Sequence, residues 1–245
     1  MIEFSYLYPA MVLALGYSVL GLTGFGSALV VVPLLAGIWS LPDVVAMAIL
    51  LDIPASMLHG GLNLKQVRWN EMRRLLPGMA IGTLIGLLLL GILDRRWPLF
   101  ILGLYVAFVG IRALIPSQKQ ASIPSAAWAH PVGALIGVIE VMFATAGPVV
   151  LAWLQRRQID VAGIRATVPV IMVLAGLIAV VVLWSSGQVN AEVVATRWLY
   201  GIPIALFGVV LGNRCAAWIS PALMARALAI LLTLSGVSLM RHLFV

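Results

Sequence analysis

Two carboxylates stand in stretches where an ionised side chain is costly. Asp52 lies in AMAILLDIPASM and Glu140 in GVIEVMF, and neither has a basic residue within one helical turn. An acid in so apolar a segment marks a functional position by default. It can carry a proton, or it can stay neutral and hydrogen-bond a helix carbonyl. His59 follows Asp52 by seven residues, on the same helix face, where it could extend a proton relay. A structural histidine at a helix end is the plainer alternative.

Two glycine-broken stretches supply the other chemistry. They are GLTGFGSALVVVP, from Gly21 to Pro33, and GVIEVMFATAGPVVLAWL, from Gly137 to Leu154. In each, a turn precedes an apolar run too short to cross a bilayer. The helix after such a turn would begin inside the protein. Its free N–H groups and the positive end of its dipole would then point inward, a geometry that binds anions. The candidate anion-binding residues are Thr23, Gly24, Phe25, Gly26 and Ser27 in the first turn, and Thr145, Ala146, Gly147 and Pro148 in the second. Thr23, Ser27 and Thr145 are expected to cap or line the helix starts, and Pro148 suits a first helical position. Close helix packing is the competing explanation of the glycines. Arg165 opens a later helix and is a candidate for attracting an anion, although it also serves membrane topology.

Other chemistry is not expected. Cys215 is the sole cysteine, and the histidines at 59, 130 and 242 are scattered. There is no HExxH, GxSxG, paired-Asp or Walker A pattern. The sequence therefore predicts no catalytic residue, no metal and no cofactor.

The elements that would position these residues follow from composition. The chain has 245 residues, 63% hydrophobic and 9% charged, against about 25% charged in a soluble domain. That excludes a soluble globular protein, a disordered tail, a disulfide-rich secreted module and a nucleic-acid binder. The net charge of +7 then marks membrane sidedness. A spanning helix needs about 20 apolar residues. Six such runs are expected, at 44–62, 75–93, 97–115, 162–184, 198–217 and 221–243, with the broken regions at 4–39 and 131–154. The eight tryptophans fall near segment ends, as an interfacial belt does. Met1-Ile2-Glu3 has no basic n-region, so the first segment reads as retained rather than cleaved.

The chain also repeats itself. Pro77-x4-Gly82-x3-Gly86 recurs as Pro203-x4-Gly208-x3-Gly212, Gln66-Val67 as Gln188-Val189, Asp43 as Asp160 and Gly110 as Gly236. These collinear matches predict a first repeat over 1–115, a cytoplasmic linker over 116–130 and a second repeat over 131–245. If each broken region is a re-entrant hairpin, each half crosses three times and the halves are inverted. Of the 15 Lys and Arg, only Arg95, Arg96, Arg197 and Arg241 then lie outside. Four crossings per half would give parallel repeats and a nearly even split. The positive-inside rule favours the inverted arrangement, with both termini outside. The expected fold is an all-α polytopic membrane protein of two inverted repeats, each with three spanning helices and a glycine-broken re-entrant hairpin. Inverted repeats that meet at such broken helices near the midplane recur in transporters.

GFGSALVVVPLL (Gly24–Leu35) resembles the glycine-rich turn and following "VP-L" of TauE/SafE-type permeases, the family of sulfite and organosulfonate exporters. FATAGPVVLAWL (Phe143–Leu154) resembles the "GGGP-VP-L" of their second half, and Arg165-Ala166-Thr167 their "RATS" run. The likeness covers about residues 10–243. Ser27 and Ala28 depart from it, as do Phe143–Ala146, which stand where glycines are usual, and Val168. The resemblance implies a secondary transporter for a small sulfur-containing anion such as sulfite, a sulfonate or a related organic acid, acting in export. The site would lie near the midplane between the two turns. Export of an anion from a negative-inside cell is already downhill, by about 2.3 kcal/mol per charge per 100 mV. Proton-coupled uptake of an organic anion and a non-transporting membrane subunit are the alternatives. The expected location is the cell membrane (the inner membrane of a Gram-negative cell). The expected partners are the anion, the bilayer and possible protons, with a homo-oligomer open and nucleic acid excluded.

Overall fold

A computed structural model of the chain describes residues 2–60, 64–94, 96–114, 123–215, 218 and 221–240. Those residues form ten α-helices and no strand. In the first half they are α1 (Ile2–Thr23), α2 (Ser27–Leu35), α3 (Leu41–Gly60), α4 (Trp69–Ile92) and α5 (Arg96–Leu114). In the second they are α6 (Ala129–Phe143), α7 (Gly147–Arg156), α8 (Val161–Ser185), α9 (Ala191–Cys215) and α10 (Pro221–Met240). The α1–α2 break follows from backbone conformation. Gly24 and Gly26 hold φ of 85° and 93°, the left-handed region that glycine enters without a Cβ clash. Ala144 takes the same role after α6, at φ 55°.

Small residues bring the helices together. Gly78, Gly82 and Gly86 of α4 face His130, Ala134 and Val138 of α6 in that order, so the two helices run parallel. A Cβ on Gly82 would stand 2.0 Å from the Ala134 carbonyl oxygen. Gly208 and Gly212 of α9 meet Ala14 and Ser18 of α1 in the same sense, with a Cβ on Gly212 2.1 Å from the Ser18 carbonyl. The repeated Pro-x4-Gly-x3-Gly motif thus packs each half's fourth helix on the other half's first. Gly110 of α5 meets Ala229 and Thr233 of α10, and Gly236 of α10 meets Gly103 and Ala107 of α5, an antiparallel pair. α3 and α8 also run antiparallel. Asp43 at the start of α3 accepts from the Asn190 N–H beyond α8 at 2.9 Å, and Ile49 further along α3 meets Gly176 of α8.

Polar contacts define the two ends of the bundle. At one, Arg68 pairs with Asp160 at 2.7 Å, and its N–H donates to Thr167 Oγ1 at 2.9 Å. Here too Arg157, just past α7, reaches Glu71 of α4 at 3.0 Å and the Pro124 carbonyl at 2.8 Å. At the other end, the Tyr8 hydroxyl of α1 donates to the Leu34 carbonyl of α2 at 3.0 Å, and the Arg197 guanidinium of α9 lies over the Trp39 ring, 4.0 Å from its centroid.

Five of the described helical segments are long and apolar enough to cross a membrane: Leu41–His59, Trp69–Ile92, Ala126–Phe143, Ala162–Ser185 and Ala191–Cys215. Four match expected spans. The fifth contains α6, which the sequence places within a broken region. The described residues of expected spans 97–115 and 221–243 form α5 and α10, and residues 115 and 241–243 lie outside the described set. Arg95, Arg241 and residues 116–122 of the linker lie outside the described residues.

Candidate functional site

The two turns meet. A Cβ on Gly147, at the start of α7, would stand 3.4 Å from Phe25 Cδ2 in the first turn. Between them lies a cavity of about 40 Å³, lined by Gly24 to Ser27, Asp52, Ser56, Glu140, Thr145, Gly147 and Pro148, with apolar residues of α1, α2, α3 and α8. A buried water needs about 10–15 Å³ measured in this way, so the space holds a few waters or a small ion. Of the candidate residues, Thr23, Ala146, His59 and Arg165 do not line it.

Each carboxylate faces the start of a short helix. The Ser27 hydroxyl, on the first residue of α2, donates to Asp52 Oδ1 at 2.7 Å. The Tyr17 hydroxyl of α1 also hydrogen-bonds Asp52 and donates to the Ala48 carbonyl at 3.3 Å. Asp52 is half-buried. Glu140 is 2% exposed, and its Oε2 accepts from the Ala146 N–H at 3.3 Å, at the N-terminal boundary of α7. The Thr145 Oγ1 is buried and has no hydrogen-bond partner, while its carbonyl accepts from the Tyr105 hydroxyl of α5 at 2.8 Å.

Of the two roles expected of Thr23, Ser27 and Thr145, capping or lining the helix starts, Ser27 and Thr145 line the cavity and none of the three caps. Gly26 and Ala146 are the N-caps of α2 and α7, and neither start has a side-chain cap bond. Thr23 Oγ1 donates to the Val19 carbonyl at 2.9 Å and accepts from the Phe25 N–H at 3.3 Å, which closes α1 instead. Ser27 is drawn away by Asp52. Pro148 is the second residue of α7 rather than the first. Since proline has no N–H and the Val149 N–H is taken by the Ala146 carbonyl, the donors left at this helix start belong to Ala146 and Gly147.

His59 lies beside the first turn, with its Nε2 3.2 Å from where a Gly24 Cβ would stand. It hydrogen-bonds the Asn213 side chain of α9 and feels the charge of Arg165; its Nδ1 is buried without a partner. Arg165 is exposed, two residues before Thr167 on α8. His59 therefore stands beside the first turn, with Arg165 near it at the basic end of the bundle.

Several polar residues escape the sequence reading. Glu71 is 6% exposed and gathers Arg74 at 3.0 Å, Arg157 at 3.0 Å and the Trp153 indole N–H at 3.1 Å. It clamps the end of α7 to the start of α4. Arg197, 126 residues later in the same repeat register, holds Trp39 beyond α2. The signal for Glu71 is an acid inside a basic run, and that run reads first as a marker of topology. Tyr17 and Tyr105 are tyrosines within apolar helices, a pattern visible in the sequence but without a local partner to give it meaning.

The profile of the sulfite exporter TauE/SafE family matches residues 9–239. The chain belongs to the TauE/SafE family. A curated relative, "Probable inner membrane transporter protein TsaS" of Comamonas testosteroni, is 58% identical over 200 residues, 81% of this chain and 83% of its own length. No solved structure matches the chain. With its apolar helices, this TauE/SafE member is a multi-pass membrane transporter and not an enzyme.

Proposed function

We propose that the protein is a secondary transporter for a small sulfur-containing anion, such as sulfite, a sulfonate or a related organic acid. The substrate binds between the first turn, Thr23 to Ser27, and the second, Thr145 to Pro148. One observation carries this reading: the starts of two short helices meet at one cavity, and a buried hydroxyl without a partner, Thr145 Oγ1, stands there. Helix starts favour anions. The family supports the substrate class.

The chain is organised as two inverted repeats whose hairpins, α1–α2 and α6–α7, are re-entrant. The antiparallel packing of the corresponding helices α3 with α8 and α5 with α10 supports this, because parallel repeats would make such pairs run in the same sense. The basic end, with Arg68, Arg74 and Arg157, faces the cytoplasm by the positive-inside rule. Both termini then lie outside, and the membrane is the inner membrane, which agrees with the relative's name. The family description, a sulfite exporter, supports outward transport.

The test is flux of labelled sulfite into proteoliposomes, with unlabelled sulfonates and carboxylates as competitors. Saturable flux above that of empty liposomes, reduced by sulfonates, is expected. Saturable flux of carboxylates alone would discard the sulfur-anion assignment, and the absence of flux of any small anion would discard the carrier.

A further inference from the structure

The cavity has an electrostatic imbalance. Among the described residues it is lined by two acids, Asp52 and Glu140, and by no Lys, Arg or His. An anion entering beside two ionised carboxylates would meet repulsion from both at short range, with little water to screen it. The Ser27 hydroxyl donates to Asp52 at 2.7 Å, and the Tyr17 hydroxyl lies beside the same carboxylate. Glu140 has a weaker setting: its described hydrogen bond is the Ala146 N–H at 3.3 Å. From α3 it faces Asp52, and from α5 the Tyr105 hydroxyl. From α8, a Cβ on Gly176 would stand 3.6 Å from Glu140 Oε1, and the α8 residues that line the cavity are apolar. The α4 surface against α6 carries glycines and Thr83, whose hydroxyl already donates to the Met79 carbonyl. No cation on these elements offsets Glu140 among the described residues.

Glu140 also sits on the donor that an anion would need. With Pro148 lacking an N–H and Val149 bonded to Ala146, the donors at the α7 start are the Ala146 and Gly147 N–H groups. We infer that Glu140 is the resident anion of the substrate-free carrier, that the transported anion takes its place on α7, and that one proton enters with each anion to neutralise Glu140. This rests on the carrier reading above and adds its coupling. The proton bonds to a Glu140 carboxyl oxygen. The anion receives the Gly147 N–H and the Thr145 hydroxyl, which already line the cavity, and then the Ala146 N–H that the protonated Glu140 releases. Both leave together at the opposite face, so a monovalent anion crosses with no net charge.

The experiment uses wild type and Glu140→Gln in proteoliposomes with labelled methanesulfonate, whose charge stays constant across the pH range. A pH dye is trapped inside, and valinomycin with potassium sets the potential. In the wild type the dye should report one proton per anion, and flux should ignore the potential. Apparent affinity should fall by up to about tenfold per pH unit once the binding-competent form becomes the minor one. In Glu140→Gln, a neutral mimic, the anion should move without a dye signal, and flux should follow the potential. Wild-type flux that follows the potential with a silent dye would overturn the proposal while leaving the carrier intact. So would proton-coupled flux that persists in Glu140→Gln, which would transfer the proton to Asp52. If Glu140→Gln does not fold, Asp52→Asn decides: proton-coupled flux that survives in it supports Glu140, and flux that loses its dye signal there overturns the proposal. No flux of methanesulfonate, sulfite or any other anion in the wild type would remove the carrier reading and this inference with it.

Discussion

Gly26 holds φ of 93°, yet a Cβ there would meet nothing closer than 3.7 Å. Gly26→Ala therefore isolates the left-handed backbone cost, about 1–2 kcal/mol. The melting temperature in detergent should fall by about 3–6 °C, and an unchanged value would contradict the turn. Asp160 supplies the pH dependence of the basic end. Its hydrogen bond from Arg68, and then the Gly163 N–H, hold its carboxyl below the ordinary carboxylate range. A depressed pKa favours the folded state above the unfolded value, about 3.9, and that gain fades as pH falls through the folded value. Asp160→Asn should thus melt slightly below wild type at pH 7 and converge with it in acid, a small effect because both partners are more than half exposed. A difference that grows in acid would contradict the assignment. The glycine turn, the two acids and Thr145 are local patterns, so the sequence reveals them. Their partners are not local: Ser27 and Asp52 are 25 residues apart, and Tyr105 and Thr145 are 40 apart. No periodicity joins such pairs, which is why Ser27 and Thr145 turn out to line the cavity rather than cap a helix and why the tyrosines stay hidden.

The helices are positioned by their glycines. Gly82 and Gly212 lie in the repeated motif of the two halves, and each faces a carbonyl oxygen of the opposite half. Gly82→Ala or Gly212→Ala must separate the helices, so the monodisperse fraction in size-exclusion chromatography should collapse. Gly91→Ala is the control, because its nearest neighbour would be Gln188 Nε2 at 3.7 Å and alanine is the better helix former by about 1 kcal/mol. Equal yields from all three variants would contradict the packing. The sequence motif announces tight packing, since the spacing that recurs in both halves is the spacing that packs. The helix pairing is hidden. Nothing in α4 alone says that its partner is α6 rather than α5, because apolar side chains favour every apolar neighbour equally.

Across the molecule, the two hairpins bring their turns to one cavity, and contacts at each end hold the short helices. Glu71 clamps the end of α7 to α4, and Arg197 covers Trp39 past α2. Composition is enough for an all-helical membrane protein, and residues 24–35 and 143–154 are enough for the family. The clamp is out of the sequence's reach, since Glu71 and Arg157 stand 86 residues apart. The account depends most on the cavity being the substrate site. Thr145→Cys in a Cys215→Ser background tests this directly, by anion flux in proteoliposomes before and after a charged, membrane-impermeant methanethiosulfonate reagent. The account predicts that the reagent blocks flux and that saturating substrate protects against the block. Modification of the introduced thiol that leaves flux intact, or a block that substrate does not slow, would contradict it.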